Sequence, residues 1–192
     1  MIQKVRRYLE SRLTPSRLRH VEGVVETSLE LAQRHGLNPE HAEQAALLHD
    51  SQKWRTTEEQ LAACERWGVH LDADDRAHPS VWHAFAGAAF ARKRFGAGEE
   101  VCQAARRHTT GWTDMSALDM ALYAADFCEP GRPYPQAGEV FRESMRDLER
   151  GALLAMRYRL QFLLERGASI HPRTVEARNQ LLRRLENSNG SG

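Results

Sequence analysis

The stretch AALLHDSQKW, residues 45–54, is the most informative part of this sequence, because it sets titratable groups where a helix core is expected. It runs apolar for one helical turn and then places an imidazole beside a carboxylate, with a lysine three residues further on. On a helix, Ala42, Ala46, His49 and Lys53 fall on one face. The two alanines leave space in front of the imidazole, which indicates that another chemical group approaches it.

Helical periodicity continues on both sides of this stretch. Apolar residues recur at intervals of three and four and do not alternate, which predicts an all-α protein. Asn38 is the expected N-cap of the central helix, with Pro39 at its first position, and Thr57 with Gln60 resembles a capping box for the next one. A polar loop is expected at 71–78. The predicted helices cover residues 4–12, 17–35, 39–54, 57–67, 79–95, 99–108, 116–127, 137–147, 148–166 and 174–185.

The composition is that of an ordinary single globular domain. The 192 residues are 41% hydrophobic and 28% charged, with a formal net charge of +1, so charge alone gives no attraction to nucleic acid. The basic runs at 92–94 and 106–107 lack interleaved aromatic residues, and nucleic acid is therefore not an expected partner. We expect one domain over residues 1–186 and a disordered polar tail, NSNGSG, over 187–192. A homo-oligomer is left open.

The cysteines and the N-terminal sequence indicate the cellular compartment. Cys64, Cys102 and Cys128 are widely spaced and form neither a metal knuckle nor an even set, which is typical of a reducing cytoplasm. The charged N-terminus is unlike a signal peptide, and no apolar run has the length of a membrane-spanning helix. The sequence therefore predicts a cytoplasmic protein with no membrane partner.

Four titratable residues lie on helical faces that otherwise carry apolar residues: His20, His49, Asp50 and Asp126. A single histidine there is more often a core residue with one hydrogen bond than a ligand, and Asp126 alone could be half of a buried salt bridge. Together they supply the mixed nitrogen and oxygen donors that suit a catalytic iron or manganese ion, whereas a structural zinc site more often uses thiolates. Because adjacent helical residues point about 100° apart, His49 and Asp50 can flank one ion only if neighbouring helices supply further ligands.

Five longer stretches carry a resemblance to a known family: RLRHVEGVVETSLELAQRHGL, ALLHDSQK, HAFAGAAFAR, RRHTTGWTDMSALDMALYAADFCEPGRPYP and SIHPRTVEARNQLL. In this order they resemble the YqeK-type symmetrical bis(5'-nucleosyl)-tetraphosphatases of the HD phosphohydrolase superfamily, over residues 17–182. The resemblance implies an HD-domain helical bundle with a metal site between its helices. It also implies metal-dependent hydrolysis of diadenosine tetraphosphate, and of related dinucleoside tetraphosphates, to two ADP.

The same resemblance implies a role for each matching residue. The ligands of a divalent transition metal match His20, His49, Asp50 and Asp126. Iron is the metal expected first, with manganese, cobalt or nickel as alternatives, and one or two ions are expected. The catalytic positions match Lys53, His83 and His108. The positions near a dinucleoside polyphosphate or an ADP-like nucleotide match Arg17, His83, His108, Arg132, Ile170, His171, Pro172, Arg173 and Arg178.

The implied chemistry agrees with the residue types. Hydrolysis of a phosphoanhydride needs neutralised phosphate charge and an activated water, and a bound metal supplies both. Lys53 and His108 are expected to stabilise oxygens of the transition state, while either His83 or His108 moves the proton. The planar guanidinium groups of Arg132 and Arg173 are suited to bidentate hydrogen bonds with the phosphates of one ADP half.

Two other functions stay open at this point. Another HD nucleotide phosphohydrolase, acting on a deoxynucleotide or a cyclic nucleotide, would keep the metal residues without needing the EPGR and HPRT motifs. A non-catalytic nucleotide sensor would keep the pocket and lose a ligand or the lysine. All four implied ligands and the lysine are present here, which favours an enzyme.

Overall fold

The computed structural model of the protein describes residues 1–189, and within that range it contains eleven α-helices and no strand. The all-α prediction is therefore confirmed for these residues. A 3₁₀ turn at Pro79–Val81 precedes α6, and a π-helical turn at Ala91–Phe95 follows it. The helices are α1 (Ile2–Glu10), α2 (Pro15–His35), α3 (Pro39–Leu48), α4 (Thr57–Arg66), α5 (Ala73–Ala77), α6 (Trp82–Phe90), α7 (Glu99–Arg107), α8 (Ala117–Cys128), α9 (Ala137–Arg146), α10 (Leu148–Glu165) and α11 (Pro172–Asn189).

The helix α8 runs through the centre of the bundle. All of its residues from 118 to 128 are buried, as is expected of a helix that is surrounded on every side. Its packing partners are α2, α3, α7, α9 and α10. The fully buried side chains of Ala121, Ala124 and Ala125 are small and let these neighbours approach closely. Because Asp126 lies on the same helix, the fold carries its carboxylate into the interior.

Local sequence signals account for the helix starts on either side of the site. Asn38 is the N-cap of α3, as predicted, since its side chain accepts hydrogen bonds from two backbone N–H groups of the first turn. The helix α4 begins at Thr57, and its capping box is formed by Thr56 and Glu59 and not, as the sequence predicts, by Thr57 and Gln60. The sequence pattern therefore puts the N-cap one residue too far along the chain.

Three other predicted boundaries near the site are wrong. The sequence predicts a central helix through residue 54, whereas α3 ends at Leu48 and residues 49–55 form a succession of turns. The interval 71–78, predicted as a loop, contains α5, whose N-cap Asp72 forms a capping box with Asp75. The predicted helix 79–95 is divided into a 3₁₀ turn, α6 and a π-helical turn. His49, the C-cap of α3, and Asp50 are the first two residues of these turns.

The last helix is longer than the sequence predicts. It covers Pro172–Asn189, so residues 187–189, which the sequence assigns to a disordered tail, are helical. The rest of that predicted tail, 190–192, lies outside the described residues. Across 1–189, no helix combines the length and the hydropathy that a membrane crossing requires.

Candidate active site

Six of the predicted site residues converge in the interior of the bundle. They come from five separate parts of the chain, which the packing of the helices brings together. This buried cluster consists of His20 on α2, His49 and Asp50 at the end of α3, His83 on α6, His108 at the end of α7 and Asp126 on α8.

Asp50 joins two groups of imidazoles. The donor atoms of His20, His49 and Asp50 all lie within 4.8 Å of one another, and those of Asp50, His83 and His108 do the same. Oxygen Oδ2 of Asp50 lies 3.7 Å from Nε2 of His49 and 3.9 Å from Nε2 of His20. Its other oxygen, Oδ1, lies 3.2 Å from Nε2 of His83 and 3.7 Å from Nε2 of His108. One carboxylate therefore serves both groups.

Backbone carbonyls fix the orientation of two of these rings. Nδ1 of His49 lies 2.6 Å from the carbonyl oxygen of Ala46, and Nδ1 of His108 lies 2.7 Å from that of Ala105. Because a carbonyl oxygen can only accept, each Nδ1 carries the proton and donates it. Each Nε2 is then a lone-pair donor, and this is the nitrogen that points into the cluster.

Three electron-pair donors face one another at the centre. Nε2 of His20 lies 3.4 Å from Nε2 of His49, and Oδ1 of Asp126 lies 3.2 Å and 3.9 Å from these two nitrogens. Nδ1 of His20 lies 3.2 Å from a carboxylate oxygen of Glu129, so the proton of that ring belongs on Nδ1. Acceptor atoms packed this closely in the interior need a cation between them. The chemistry of the donor set therefore fits a divalent metal ion.

The protonation states agree with this assignment. Burial lowers the pKa of His49 and of His83 to about 4 each, so both imidazoles are neutral at neutral pH. Burial opposes ionisation of the two carboxylates, but their imidazole partners, chiefly His49 for Asp50 and His20 for Asp126, hold both pKa values well below the ordinary range. Neutral imidazole and ionised carboxylate are the forms that bind a metal ion.

His20 is the position at which a proton competes with a metal ion. Burial lowers its pKa, but the hydrogen bond with Asp126 and the contact with Glu129 act in the opposite direction, and the pKa of His20 is raised. A proton on its Nε2 occupies the place between His20 and Asp126 where an ion would bind. Metal binding is therefore expected to release this proton.

Cationic side chains surround the carboxylates of the cluster. Nη1 of Arg17 lies 2.9 Å from Oδ2 of Asp50, and Nη2 of Arg132 lies 2.6 Å from Oδ1 of Asp126. Nζ of Lys53 lies 3.1 Å from Nδ1 of His83, and burial lowers the pKa of this lysine. Lys53 thus reaches the cluster although it lies in the turns beyond α3. The predicted catalytic lysine and two predicted phosphate-binding arginines lie beside the proposed ligands.

The sequence profile of the HD domain family matches residues 17–131, a range that includes the whole buried cluster. The chain belongs to the HD-domain family. This HD-domain protein is 33% identical to "Bis(5'-nucleosyl)-tetraphosphatase, symmetrical" of Bacillus subtilis (strain 168) over 91% of its own length and 94% of that relative. It is also 33% identical to the protein of the same name from Halalkalibacterium halodurans, over 93% of this chain and 96% of that one.

A solved structure agrees with these relatives. The crystal structure of a "predicted HD superfamily hydrolase involved in NAD metabolism" from Clostridium acetobutylicum matches with a TM-score of 0.91. The two chains are 32% identical, and the match covers 96% of this HD-domain chain and 98% of the other. The family resemblance predicted from the sequence, and the HD-domain bundle it implies, are therefore confirmed.

Two further residues of this HD-domain protein touch the cluster, although the sequence predicts no role for them. Glu129 accepts hydrogen bonds from Nδ1 of His20 at 3.2 Å and from the backbone N–H of Gly131 at 2.5 Å. Arg159 on α10 places Nη2 3.4 Å from Oδ2 of Asp126. Glu129 stands in the EPGR motif three residues after Asp126, which is a usable signal. No feature of the sequence connects Arg159 with that aspartate.

The predicted nucleotide-binding residues around position 171 pair with α5. Nε2 of His171 lies 3.1 Å from Oδ1 of Asp75, and Nη1 of Arg173 lies 2.7 Å from the same oxygen. Nη2 of Arg173 lies 2.9 Å from Oδ2 of Asp72, and its guanidinium carbon lies 4.1 Å from the ring centroid of Trp112. These contacts hold the start of α11 against α5. Both terminal nitrogens of Arg173 pair with carboxylates at α5.

The remaining predicted nucleotide contacts lie on the same segment. Ile170 and Pro172 flank His171, and Ile170 is half-buried. Arg178 donates to Oδ1 of Asn179 at 3.0 Å and lines a groove between α9, α10 and α11. Contact between these residues and a nucleotide stays a prediction.

Proposed function

We propose that this HD-domain protein is a metal-dependent hydrolase that splits dinucleoside tetraphosphates between the second and third phosphates. Diadenosine tetraphosphate is the main substrate and two ADP are the products. The observation that carries the proposal is the buried cluster, in which Asp50 is shared by two groups of histidines. The close relatives named as symmetrical tetraphosphatases support this choice over a deoxynucleotide or cyclic nucleotide substrate.

The proposed metal ligands are His20, His49, Asp50 and Asp126. When bound there, a divalent ion supplies Lewis-acid polarisation of a phosphoryl oxygen and lowers the pKa of coordinated water. Iron(II) is the proposed metal, since a mixed imidazole and carboxylate set suits it, and manganese, cobalt and nickel are the alternatives. The second group, Asp50 with His83 and His108, binds either a second ion or a phosphate of the substrate.

The cationic rim holds the phosphate chain. The side chains of Arg17 and Arg132 are 37% and 21% exposed, so each keeps N–H groups available to phosphate oxygens while it contacts its aspartate. Lys53 and His108 stabilise the negative charge that develops on the oxygens of the transferred phosphoryl group. His83, whose Nε2 lies 3.3 Å from Nε2 of His108 and whose imidazole is neutral at neutral pH, accepts a proton from the attacking water and passes it to the departing ADP.

The proposed cellular setting is the cytoplasm. All three cysteines are free in the structure, and burial raises the pKa of Cys64 to about 11 and that of Cys128 to about 12. Thiols with such pKa values carry little thiolate at neutral pH and are poor nucleophiles. They support a structural role in a reducing compartment.

Replacement of the shared carboxylate tests the proposed function. Asp50→Ala is expected to lower the rate of diadenosine tetraphosphate hydrolysis by more than about a hundredfold, because even residues that only orient a metal ligand contribute about 10- to 100-fold. The helical circular dichroism of the variant should stay at the wild-type level. Asp74→Ala, which removes an exposed aspartate from α5, is the matched control and should keep full activity. Wild-type turnover by the metal-loaded Asp50→Ala protein would contradict the proposal.

Metal analysis tests the proposed ion independently of turnover. Protein purified without oxygen or chelator is expected to contain iron as the main transition metal by inductively coupled plasma mass spectrometry. Asp50→Ala should lose that iron. A protein that carries zinc in place of iron, manganese, cobalt or nickel would contradict the assignment of the donor set.

A further inference from the structure

A small cavity lies on the α10 side of Asp126. Its volume is about 240 Å³, below the about 300–1,000 Å³ of sites for drug-sized ligands, so it suits one planar ring system. Aromatic side chains make up four of its eight lining residues, and Gln136, Arg159, Gln161 and Glu165 add polar groups. The aromatic residues are Phe127, Tyr134, Tyr158 and Phe162. We name this cavity the aromatic pocket.

Two rings of the aromatic pocket are partly exposed, and each has an arginine over one face. The guanidinium carbon of Arg166 lies 4.6 Å from the ring centroid of Phe162, and that of Arg132 lies 5.6 Å from that of Tyr134. Phe127 contacts both tyrosines, with ring centroids 5.4 Å from Tyr134 and 6.1 Å from Tyr158 and an interplanar angle of 20° to the latter. Tyr134 is 38% exposed and Phe162 is 46% exposed, which is unusual for large apolar side chains of this protein. Aromatic rings that stay partly exposed beside a cavity are surfaces on which a nucleobase can stack.

Two arginines connect the aromatic pocket with the proposed metal ligands. Arg159 lines the pocket and places Nη2 3.4 Å from Oδ2 of Asp126. Arg132 lies over the ring of Tyr134, with its guanidinium carbon 5.6 Å from the centroid, and places Nη2 2.6 Å from Oδ1 of Asp126. From the aromatic pocket toward the proposed metal site, the aromatic rings therefore come first, the two guanidinium groups second and the carboxylate of Asp126 last. A nucleoside diphosphate has the matching order of base, phosphates and reacting phosphorus.

We propose that the aromatic pocket beside Asp126 binds the purine base of one nucleoside diphosphate half of the substrate, with Arg132 and Arg159 on its phosphates. This inference rests on the proposed function and names the part of the site that grips one half during symmetrical cleavage. The polar rim supplies the hydrogen bonds to the base edge. Glu165 accepts a hydrogen bond from an exocyclic amino group of the base. Gln161, whose Nε2 donates to Oε1 of Glu165 at 2.9 Å in the structure, exchanges this hydrogen bond for one to the base ring.

The test compares ligands with and without a base. Binding of ADP and of inorganic pyrophosphate to the metal-loaded protein is measured by isothermal titration calorimetry for wild type and for Phe162→Ala. The variant is expected to bind ADP about tenfold more weakly, because a base stacked on an aromatic side chain contributes about 1–3 kcal/mol. Pyrophosphate binding should be unchanged. Tyr134→Ala, at the other exposed ring, should repeat this pattern, and Phe162→Tyr should restore ADP binding.

Leu164→Ala is the matched control, since Leu164 lies on the same helix, is 68% exposed and does not line the pocket. It should change neither affinity. The proposal is overturned if ADP binding is unaffected by both aromatic truncations, if pyrophosphate weakens as much as ADP, or if wild type binds ADP no more tightly than pyrophosphate. Failure of the proposed function is a separate result: absence of diadenosine tetraphosphate turnover by wild type leaves the ADP measurement intact.

Discussion

The carboxylate of Glu129 determines which nitrogen of His20 faces the proposed metal. It accepts from Nδ1 of that ring at 3.2 Å, so Nε2 is left as a lone-pair donor toward Asp126 and His49. Glu129 is itself 3% exposed and is held by the backbone N–H of Gly131. A buried carboxylate on the far nitrogen both orients an imidazole ligand and increases its basicity.

Glu129→Gln is therefore expected to weaken metal binding without removing a ligand. The dissociation constant for Mn²⁺, measured by competition with a chelator, should rise about 10- to 100-fold. Glu26→Gln serves as the control, because Glu26 lines the cleft next to His20 but is exposed. An unchanged dissociation constant in Glu129→Gln would show that His20 does not depend on this contact.

The sequence is sufficient to predict the residues whose chemistry conflicts with their surroundings. Histidines and an aspartate on apolar helical faces can be recognised from the sequence alone, and His20, His49 and Asp126 do lie together in the structure. Glu129 and Arg159 do not stand out, because acidic and basic residues in a turn and on a half-exposed helix face are ordinary. Their partners are 109 and 33 residues away along the chain, and only the packing of α2, α8 and α10 brings them together.

At the level of elements, α2 and the segment after α8 touch at Gly23. A Cβ atom at this position would lie 3.3 Å from Cβ of Glu129 and would overlap its carboxylate. Gly23→Ala is therefore expected to displace Glu129 and to raise the dissociation constant for Mn²⁺ in the same direction as Glu129→Gln. Chelator competition measures this as well. If Gly23→Ala bound Mn²⁺ as tightly as wild type, the proposed contact between α2 and this segment would be too loose to orient His20.

The short helix α5 is held by the start of α11 through one buried carboxylate. Asp75 is 2% exposed and pairs with His171 and Arg173, whereas the side chain of Asp72 is 46% exposed and pairs with Arg173 alone. Asp75→Asn is expected to lower the free energy of unfolding by about 3 kcal/mol, because it removes the charge of the buried carboxylate that both His171 and Nη1 of Arg173 contact. Asp72→Asn, the control, should lower it by less than about 1 kcal/mol. Urea unfolding that gave equal small losses for both would contradict this reading.

Element boundaries show where prediction from sequence stops. The N-cap of α3 is correctly predicted since Asn38 and Pro39 signal it locally. The end of α3 at Leu48 is not, because residues 49–54 continue the helical pattern and only the convergence of His49 with three other chain segments favours turns there. The same is true of α5, a single capped turn whose stability depends on contacts with α11.

For the whole molecule, the buried histidines predict a loss of stability in acid when no metal is bound. The pKa values of His49 and His83 fall from 6.5 to about 4 on folding. The unfolded chain therefore binds more protons than the folded one, and stability that is complete above pH 6.5 is lost as the pH falls toward 4. The raised pKa of His20 has the opposite effect, since it stabilises the folded protein as the pH falls, but it is one group against two. Asp50 and Asp126 add a further loss below their ordinary pKa of 3.8.

Urea unfolding with a chelator present is thus expected to give a lower free energy of unfolding at pH 5 than at pH 7. His83→Gln should reduce the difference, because one of the two titrating groups is gone. His70→Gln, which removes an exposed histidine, is the control and should leave it unchanged. Equal or greater stability of the metal-free wild type at pH 5 would mean that these histidines are not neutral in the folded state.

The central claim, symmetrical cleavage at the buried cluster, is tested most directly by the identity of the products. Purified protein is incubated with diadenosine tetraphosphate and, in separate reactions, iron(II), manganese, cobalt or nickel, and the nucleotides are separated by anion exchange. ADP as the sole product is the result we expect, because the proposed metal ligands lie next to the aromatic pocket that we propose for one nucleoside diphosphate half. AMP together with ATP would contradict the assignment of the phosphate grip, and no turnover with any of the four proposed metals would favour a nucleotide sensor.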